Sequence, residues 1–220
     1  MKPELLAPAG DWPSLNAALE AGADAIYLGI KGFNMRANAK NFEIKDFKRI
    51  RETCQKKKVY LTLNIILYDK ELKKTENLIK KAKPYVNAII CWDPSIIQLC
   101  KKHKVPFHIS TQASISNLET AKFYKKLGAK AIVLARELSL NQVKHITKNI
   151  DIKVEAFIHG AMCYSVSGRC FFSQEMYGRS ANRGECVQPC RRKYTLTDQE
   201  TGKEIKVENN YFLSAKDLCT

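Results

Sequence analysis

Four cysteines, Cys163, Cys170, Cys186 and Cys190, fall within 28 residues with the spacing C-x6-C-x15-C-x3-C. Four thiolates from one compact segment can complete a tetrahedral metal site or bind an iron–sulfur cluster. Structural zinc usually has short C-x-C gaps in both halves. The first gap here is longer, and iron–sulfur clusters tolerate irregular spacing. The segment therefore reads as a [4Fe–4S] site in preference to Zn2+, with four unliganded thiols as the remaining reading. Five of the nine arginines lie between Arg169 and Arg192, where their planar forks suit phosphate. They are expected to rim the site, and Gly168, Gly178 and Gly184 would let backbone wrap closely around a cofactor. Cys54, Cys91 and Cys100 read as core or surface fillers. Cys219 stands alone near the end, and by folding back it could replace a ligand such as Cys190.

Such residues need elements to place them. Short apolar runs at residues 4–7, 25–29, 59–65, 88–92, 107–111, 131–134 and 154–158 read as strands, with an eighth at 211–214. Helical patterns lie between them at 12–21, 44–56, 70–83, 94–103, 116–127 and 140–148. Asp11 and Ser139 are placed to cap helix N-termini, and Gly22 and Gly128 stand at C-caps. The phrases at 21–27 and 127–133 repeat one pattern, a helix ending on Gly before a strand. Strand alternating with helix predicts a parallel sheet. Eight strands predict an α/β fold of the TIM-type (β/α)8 barrel class, with a cysteine-rich insert at 160–193 after strand seven. No GxGxxG follows the first strand, which disfavours a dinucleotide fold. The last helix is missing, so the single domain, 1–220, is expected to be incomplete at its C-terminus.

In such barrels chemistry sits at the C-terminal strand ends. Those ends deliver Arg36, Asn64, Gln112, Arg136, Glu137, His159 and Lys216. Period-2 alternation puts Thr62 with Asn64, His108 with Ser110 and Gln112, and Glu155 with Phe157 and His159. A carboxylate inside a strand is costly unless paired, and Arg136 is the expected partner of Glu155. Glu155, His159, Arg136 and Glu137 are the candidate catalytic groups. Arg36, Asn64, Gln112, Arg169 and Arg191 are the candidate substrate contacts.

The 220 residues carry 37 Lys plus Arg against 22 Asp plus Glu, a net +15. Such a field attracts polyanions, RNA first among them, although a general lysine bias accounts for it equally well. Hydrophobic residues make up 45% and charged residues 27%, the balance of a globular chain rather than a disordered one. No run of 18 apolar residues exists, so no membrane span is expected. The N-terminal MKPELLAPAGDW is not a signal peptide pattern. A cytoplasmic protein is expected.

The segment Glu155-Ala-Phe-Ile-His-Gly-Ala-Met-Cys163, followed by Ser167-Gly-Arg-Cys170 and Phe172-Ser173, resembles the signature of peptidase family U32. Glu4-Leu-Leu-Ala-Pro-Ala-Gly10, Gly22-Ala-Asp-Ala-Ile-Tyr27, Thr111-Gln-Ala113 and Arg136-Glu-Leu-Ser139 support it, so the resemblance spans nearly the whole chain. It implies two activities. Some members are described as collagenase-like peptidases; others are needed for oxygen-independent hydroxylation of tRNA wobble uridine, of a 23S rRNA cytidine or of the ubiquinone ring. It also implies prephenate as a source in the RNA branches and a [4Fe–4S] cluster, whose ligands by position would be Cys163, Cys170, Cys186 and Cys190. Ser114 departs from the family, which commonly has Asn there, and a later motif rich in Lys-Ile-Glu-Gly-Arg is absent.

Three functions follow as expectations. The first is an iron–sulfur RNA hydroxylation enzyme acting on tRNA or rRNA, in which Arg136 and Arg169 hold anionic groups and His159 or Glu155 moves protons. The second is a peptidase, for which the sequence offers no GxSxG or HExxH and only Cys163, Cys170 or a serine near His159. The third is a metal-stabilised RNA-binding or assembly module without catalysis.

Overall fold

The computed structural model describes residues 3–37, 39–205, 211–215 and 217–219. Seven parallel strands pair in sequence order: β1 (Leu6–Ala9), β2 (Ala25–Gly29), β3 (Lys58–Thr62), β4 (Ala88–Cys91), β5 (Phe107–Ile109), β6 (Ala131–Val133) and β7 (Lys153–Glu155). Six helices alternate with them: α1 (Trp12–Glu20), α2 (Phe47–Cys54), α3 (Asp69–Ala82), α4 (Pro94–Lys102), α5 (Leu118–Leu127) and α6 (Leu140–Lys148). The helix starts follow from local chemistry. Asp11 accepts from the Ser14 N–H at 3.0 Å, Asn117 from Thr120 at 2.8 Å, and Ser139 forms a capping box with Gln142. Both expected glycine caps have positive φ.

The two faces of the sheet differ. The outward face buries Ile26, Leu28, Leu61, Ile89, Ile109 and Ile132 against the helices, and these belong to one continuous core. Strands covered this way need apolar side chains at alternate positions. The inward face holds a much smaller apolar cluster, Ala25, Tyr60, Ala88 and Ile90. Register aligns Tyr27 with Tyr60 and Ala88, and then Ile90 with His108, Ala131 and Lys153. His108 is buried there, its ring 4.6 Å from that of Tyr60. Its Nδ1 has no hydrogen-bond partner, and burial first, then Lys153, lowers its pKa to about 4.

The sheet curls into a half-barrel, and Glu4 ties its two edges. Just before β1, its carboxylate accepts from the Tyr60 hydroxyl at 2.8 Å, from Lys153 of β7 at 3.1 Å, and from Lys58 of β3. Burial alone would raise its pKa, but the bonds from Lys58, Tyr60 and Lys153 outweigh that and hold it at about 2.

Three expectations about the elements are corrected. The parallel sheet has seven strands, not eight. Residues 211–214 form a turn closed by Ser214 N–H to Tyr211 O at 3.2 Å; a short apolar run such as Tyr-Phe-Leu does not by itself distinguish strand from turn. Strand seven ends at Glu155, and the chain then enters a separate antiparallel ribbon of β8 (His159–Ala161). A second ribbon pairs β9 (Leu196–Thr197) with β10 (Glu204–Ile205), and β8 pairs with β11 (Asp217–Cys219). Lys216 lies outside the described residues, as does the side chain of Cys219.

Glu4 yields a pH prediction. Its folded pKa of about 2 lies below the ordinary 4.5. Its ionised pairing therefore stabilises the fold above about pH 4.5, and that contribution is lost as pH falls towards 2. Glu4→Gln is expected to lower the urea midpoint at neutral pH and to flatten the decline across that acid window. Parallel curves for the two proteins from pH 4.5 to 2 would show that the carboxylate does not tie the edges.

Candidate active site

The C-terminal strand ends open into a cavity of about 380 Å³. Its floor is the inward face of the sheet: Tyr27, Thr62, Ile90, Ser110, Val133 and Glu155. One wall comes from the loop after β2, including Asn34, Arg36 and Asn41; the other comes from the chain after β7.

The floor is braced by side chains that bond strand ends to one another. Ser110 Oγ donates to Gln112 Oε1 at 2.7 Å, and Gln112 Nε2 donates to the Asn64 carbonyl at 2.7 Å. That carbonyl also accepts from Trp92 Nε1 at 2.9 Å, and Asn64 Oδ1 accepts from the Met35 N–H at 3.1 Å. Thr62 Oγ1 donates to the Leu28 carbonyl at 2.9 Å. Asn64 and Gln112 thus line the cavity as the sequence suggested. Arg36 and Glu137 also line it, as exposed rim residues.

Glu155 lies half-buried at the end of β7 and lines the cavity. Burial, then the negative charge of Glu4, pushes its pKa up to about 7. The expected ion pair with Arg136 does not form. The Arg136 guanidinium instead donates to the Ala161 carbonyl at 2.6 Å and lies 3.8 Å from the Phe157 ring centre. A backbone acceptor and an aromatic face replace the carboxylate, because the chain turns at the end of β7 and brings Phe157 and Ala161 to the guanidinium. Arg136 still lines the cavity.

Residues 160–193 hold three 3-10 turns, Val166–Gly168, Ala181–Arg183 and Pro189–Arg191, and one short helix, α7 (Phe172–Tyr177). All four cysteines of this stretch line the cavity. Burial raises the pKa of the Cys190 thiol, and nearby Cys163, Cys186 and Cys170 raise it further. The Phe172 N–H donates to Cys170 Sγ at 3.3 Å, and the Gln188 N–H to Cys186 Sγ at 3.4 Å. Among the described residues no three His, Cys, Asp or Glu side chains close on a single-ion cage.

The arginines of the stretch mostly hold it in place rather than rim the cavity. Arg183 forms a forked ion pair with Glu71 of α3, both contacts at 2.7 Å, and donates to the Ile66 carbonyl at 2.6 Å. Arg191, expected at the substrate, ties Met162 O, Ser214 and Asp217 together and does not line the cavity. Arg192 bonds Tyr177 Oη at 2.8 Å. Arg169 points outward, donating to Ser114 Oγ at 3.3 Å and facing the Trp92 ring. Ser114 Oγ in turn lies 2.7 Å from Ser167 Oγ. Ser114 has φ 52°, a left-handed conformation that Asn tolerates better.

His159 sits exposed on β8, outside the cavity lining. Alternation had placed it inward with Glu155 and Phe157, but the strand ends before it. None of the four histidines lines the cavity. Phe157, placed on the Glu155 face by alternation, lines the cavity; Tyr27 and Glu4 were not singled out from sequence. Carrying the period-2 pattern back through β2 would have put Tyr27 inward; nothing local marked Glu4.

A sequence model for peptidase family U32 matches residues 10–220. The chain belongs to peptidase family U32. It is 45% identical to the uncharacterized protease MJ0090 of Methanocaldococcus jannaschii, over 98% of this chain and 55% of that protein. It is 39% identical to tRNA hydroxylation protein P1 of Bacillus subtilis, over 99% and 54%. It is 42% identical to the 23S rRNA 5-hydroxycytidine C2501 synthase of Escherichia coli, over 97% and 33%. The U32 chain thus spans about half the length of the first two of these relatives and a third of the last. Among solved structures, the U32 peptidase Mk0906 superposes with a TM-score of 0.60 at 13% identity, over 73% of this chain and 70% of that one. That likeness bears on the fold alone. No helix among the described residues is long and apolar enough to cross a membrane.

The two cavity walls meet at Gly184, which has φ 87° and accepts from the Ala37 N–H at 3.0 Å. A Cβ there would come within 2.3 Å of the Asn34 carbonyl oxygen. Gly184→Ala is expected to destabilise the protein by about 1–3 kcal/mol, read as a lower urea midpoint. An unchanged midpoint would mean that the two walls separate freely.

Proposed function

We propose that this U32 chain forms the base-binding barrel of an iron–sulfur enzyme that hydroxylates an RNA base, in tRNA or rRNA, without molecular oxygen. The observation that carries the reading is the convergence of four cysteines and the half-buried carboxyl of Glu155 on a single cavity that no histidine lines. Cys163, Cys170, Cys186 and Cys190 would hold a [4Fe–4S] cluster. The donor set suits it: four thiols share one wall, and two already accept backbone N–H groups. A zinc ion would draw its sulfurs to about 2.3 Å from one centre. When bound, the cluster supplies electron transfer or a Lewis-acidic iron.

The chain's own groups do the rest. The cavity lies within the ~300–1,000 Å³ typical of small-ligand sites, enough for one base splayed out of a loop. The rings of Tyr27 and Phe157 offer apolar walls. Arg36 at the rim and the net charge of +15 favour an anionic backbone. The same rim suits a small anionic oxygen donor such as prephenate. Relatives bearing tRNA and rRNA hydroxylation names support RNA as the substrate. The peptidase reading needs an imidazole beside a thiol or hydroxyl, and the placement of the histidines does not favour it.

Anaerobically purified protein is expected to carry about four iron and four sulfide per chain. Cys→Ala at any of the four positions should strip most of that iron. Incubation with tRNA and rRNA should yield a nucleoside heavier by one oxygen, detected by mass spectrometry of digested RNA. Stoichiometric zinc without sulfide would sink the redox reading, and peptide cleavage lost on Cys163→Ala would restore the peptidase.

A further inference from the structure

Most polar side chains around the cavity already have partners within the protein. Thr62, Ser110, Gln112, Asn64 and Arg136 each bond a neighbouring carbonyl, amide or side chain. Glu155 does not: among the described residues its carboxyl makes no hydrogen bond and no ion pair, yet it faces the cavity from the floor. The Tyr27 hydroxyl, on the same cavity, also makes no hydrogen bond among the described residues. Arg36 and Glu137 also line the cavity without a side-chain hydrogen bond among the described residues, but both are exposed at its rim. Glu155, half-buried at the floor, is the one prepared for a ligand.

We propose that Glu155 anchors the substrate base, pairing as a neutral carboxylic acid with the Watson–Crick edge of a flipped-out pyrimidine. The inference rests on the RNA-base reading above. A protonated carboxyl offers one O–H donor and one carbonyl acceptor side by side, whereas a carboxylate offers acceptors only. The acid can donate to N3 of cytosine while accepting from the 4-amino group. It can equally accept from N3–H of uracil while donating to O4. Two parallel bonds form in either case, and the C5–C6 edge of the ring stays free for chemistry. A carboxylate would lose one bond of each pair.

The surroundings favour the neutral acid. Glu4, before β1, faces it with negative charge, and the two lysines nearby, Lys58 on β3 and Lys153 on β7, are both bonded to Glu4. Tyr60 on β3 donates its hydroxyl to Glu4, and His108 on β5 is held neutral. Arg136, after β6, is engaged with Ala161 and Phe157. Arg36, in the loop after β2, and Glu137, after β6, stand exposed at the rim, and among the described residues no cation bonds Glu155.

The test uses anaerobically purified protein and two RNA hairpins that differ at one loop position, a uridine in one and an abasic residue in the other. The readout is the ratio of their dissociation constants. The wild type should prefer the uridine hairpin by roughly tenfold at about pH 6, and the preference should shrink by about pH 8 as Glu155 ionises. Glu155→Gln keeps a donor and an acceptor without a titrating proton, so it should keep the preference at both pH values. Glu155→Ala should bring the ratio near one and leave affinity for the abasic hairpin, and the melting temperature, unchanged. A preference that survives in Glu155→Ala, or that Glu155→Gln fails to rescue, overturns the anchor alone. Failure of the wild type to bind either hairpin overturns the RNA reading and the anchor with it.

Discussion

A half-barrel with seven strands has two free edges, and the charge cluster around Glu4 is what holds them together. One carboxylate collects Lys58, Tyr60 and Lys153 from β3 and β7. The arrangement gathers two partly exposed lysines onto one carboxylate. It also sets the electrostatics one layer up. Burial, and then the charge of Glu4, makes a second ionised carboxylate at Glu155 harder to sustain. The geometry of the scaffold and the protonation of the site thus share a cause.

The cysteine wall depends on contacts far away in sequence. Arg183 reaches α3, Gly184 receives the loop after β2, and Asn182 Oδ1 accepts from the Cys170 N–H at 3.0 Å. Stretches of irregular backbone are held only where their polar groups find partners, and here those partners belong to the barrel. The thiols therefore stand on a segment whose position is set by the first third of the chain as well as by β7. This explains why arginines concentrate there: Arg183, Arg191 and Arg192 act as struts, and their long forked donors bridge turns that have no ladder of their own.

Much of this could be read from the residues. All seven strands of the sheet were legible, because apolar runs between capped helices leave few alternatives, and the caps at Asp11 and Ser139 form as expected. Placement of Asn64, Gln112, Glu155 and the four cysteines around one opening followed from strand ends and alternation. The eighth strand was misread because Tyr211–Leu213 has composition but no flanking periodicity. The failures at the site share a form. His159 was placed by extending a period past the point where β7 ends. Arg136 was paired with Glu155 and Arg191 was placed at the substrate, when backbone carbonyls, an aromatic ring and Asp217 were available instead. Sequence spacing ranks which groups are near; it does not rank the acceptors that irregular backbone supplies.

The division between the two faces of the sheet has an evolutionary consequence. The outward side chains, from Leu28 to Ile132, belong to the core shared with the helices, so substitutions there cost packing. The inward side chains contribute a small apolar cluster and otherwise line a cavity. Changes on that side alter what is bound, and their cost to folding falls chiefly on those that touch Tyr60 and the Glu4 cluster. Such a sheet leaves a family free to vary what its inward face binds. Homologues carrying the names of proteases and of RNA-modifying proteins, at similar identity to this chain, are what such freedom would leave behind.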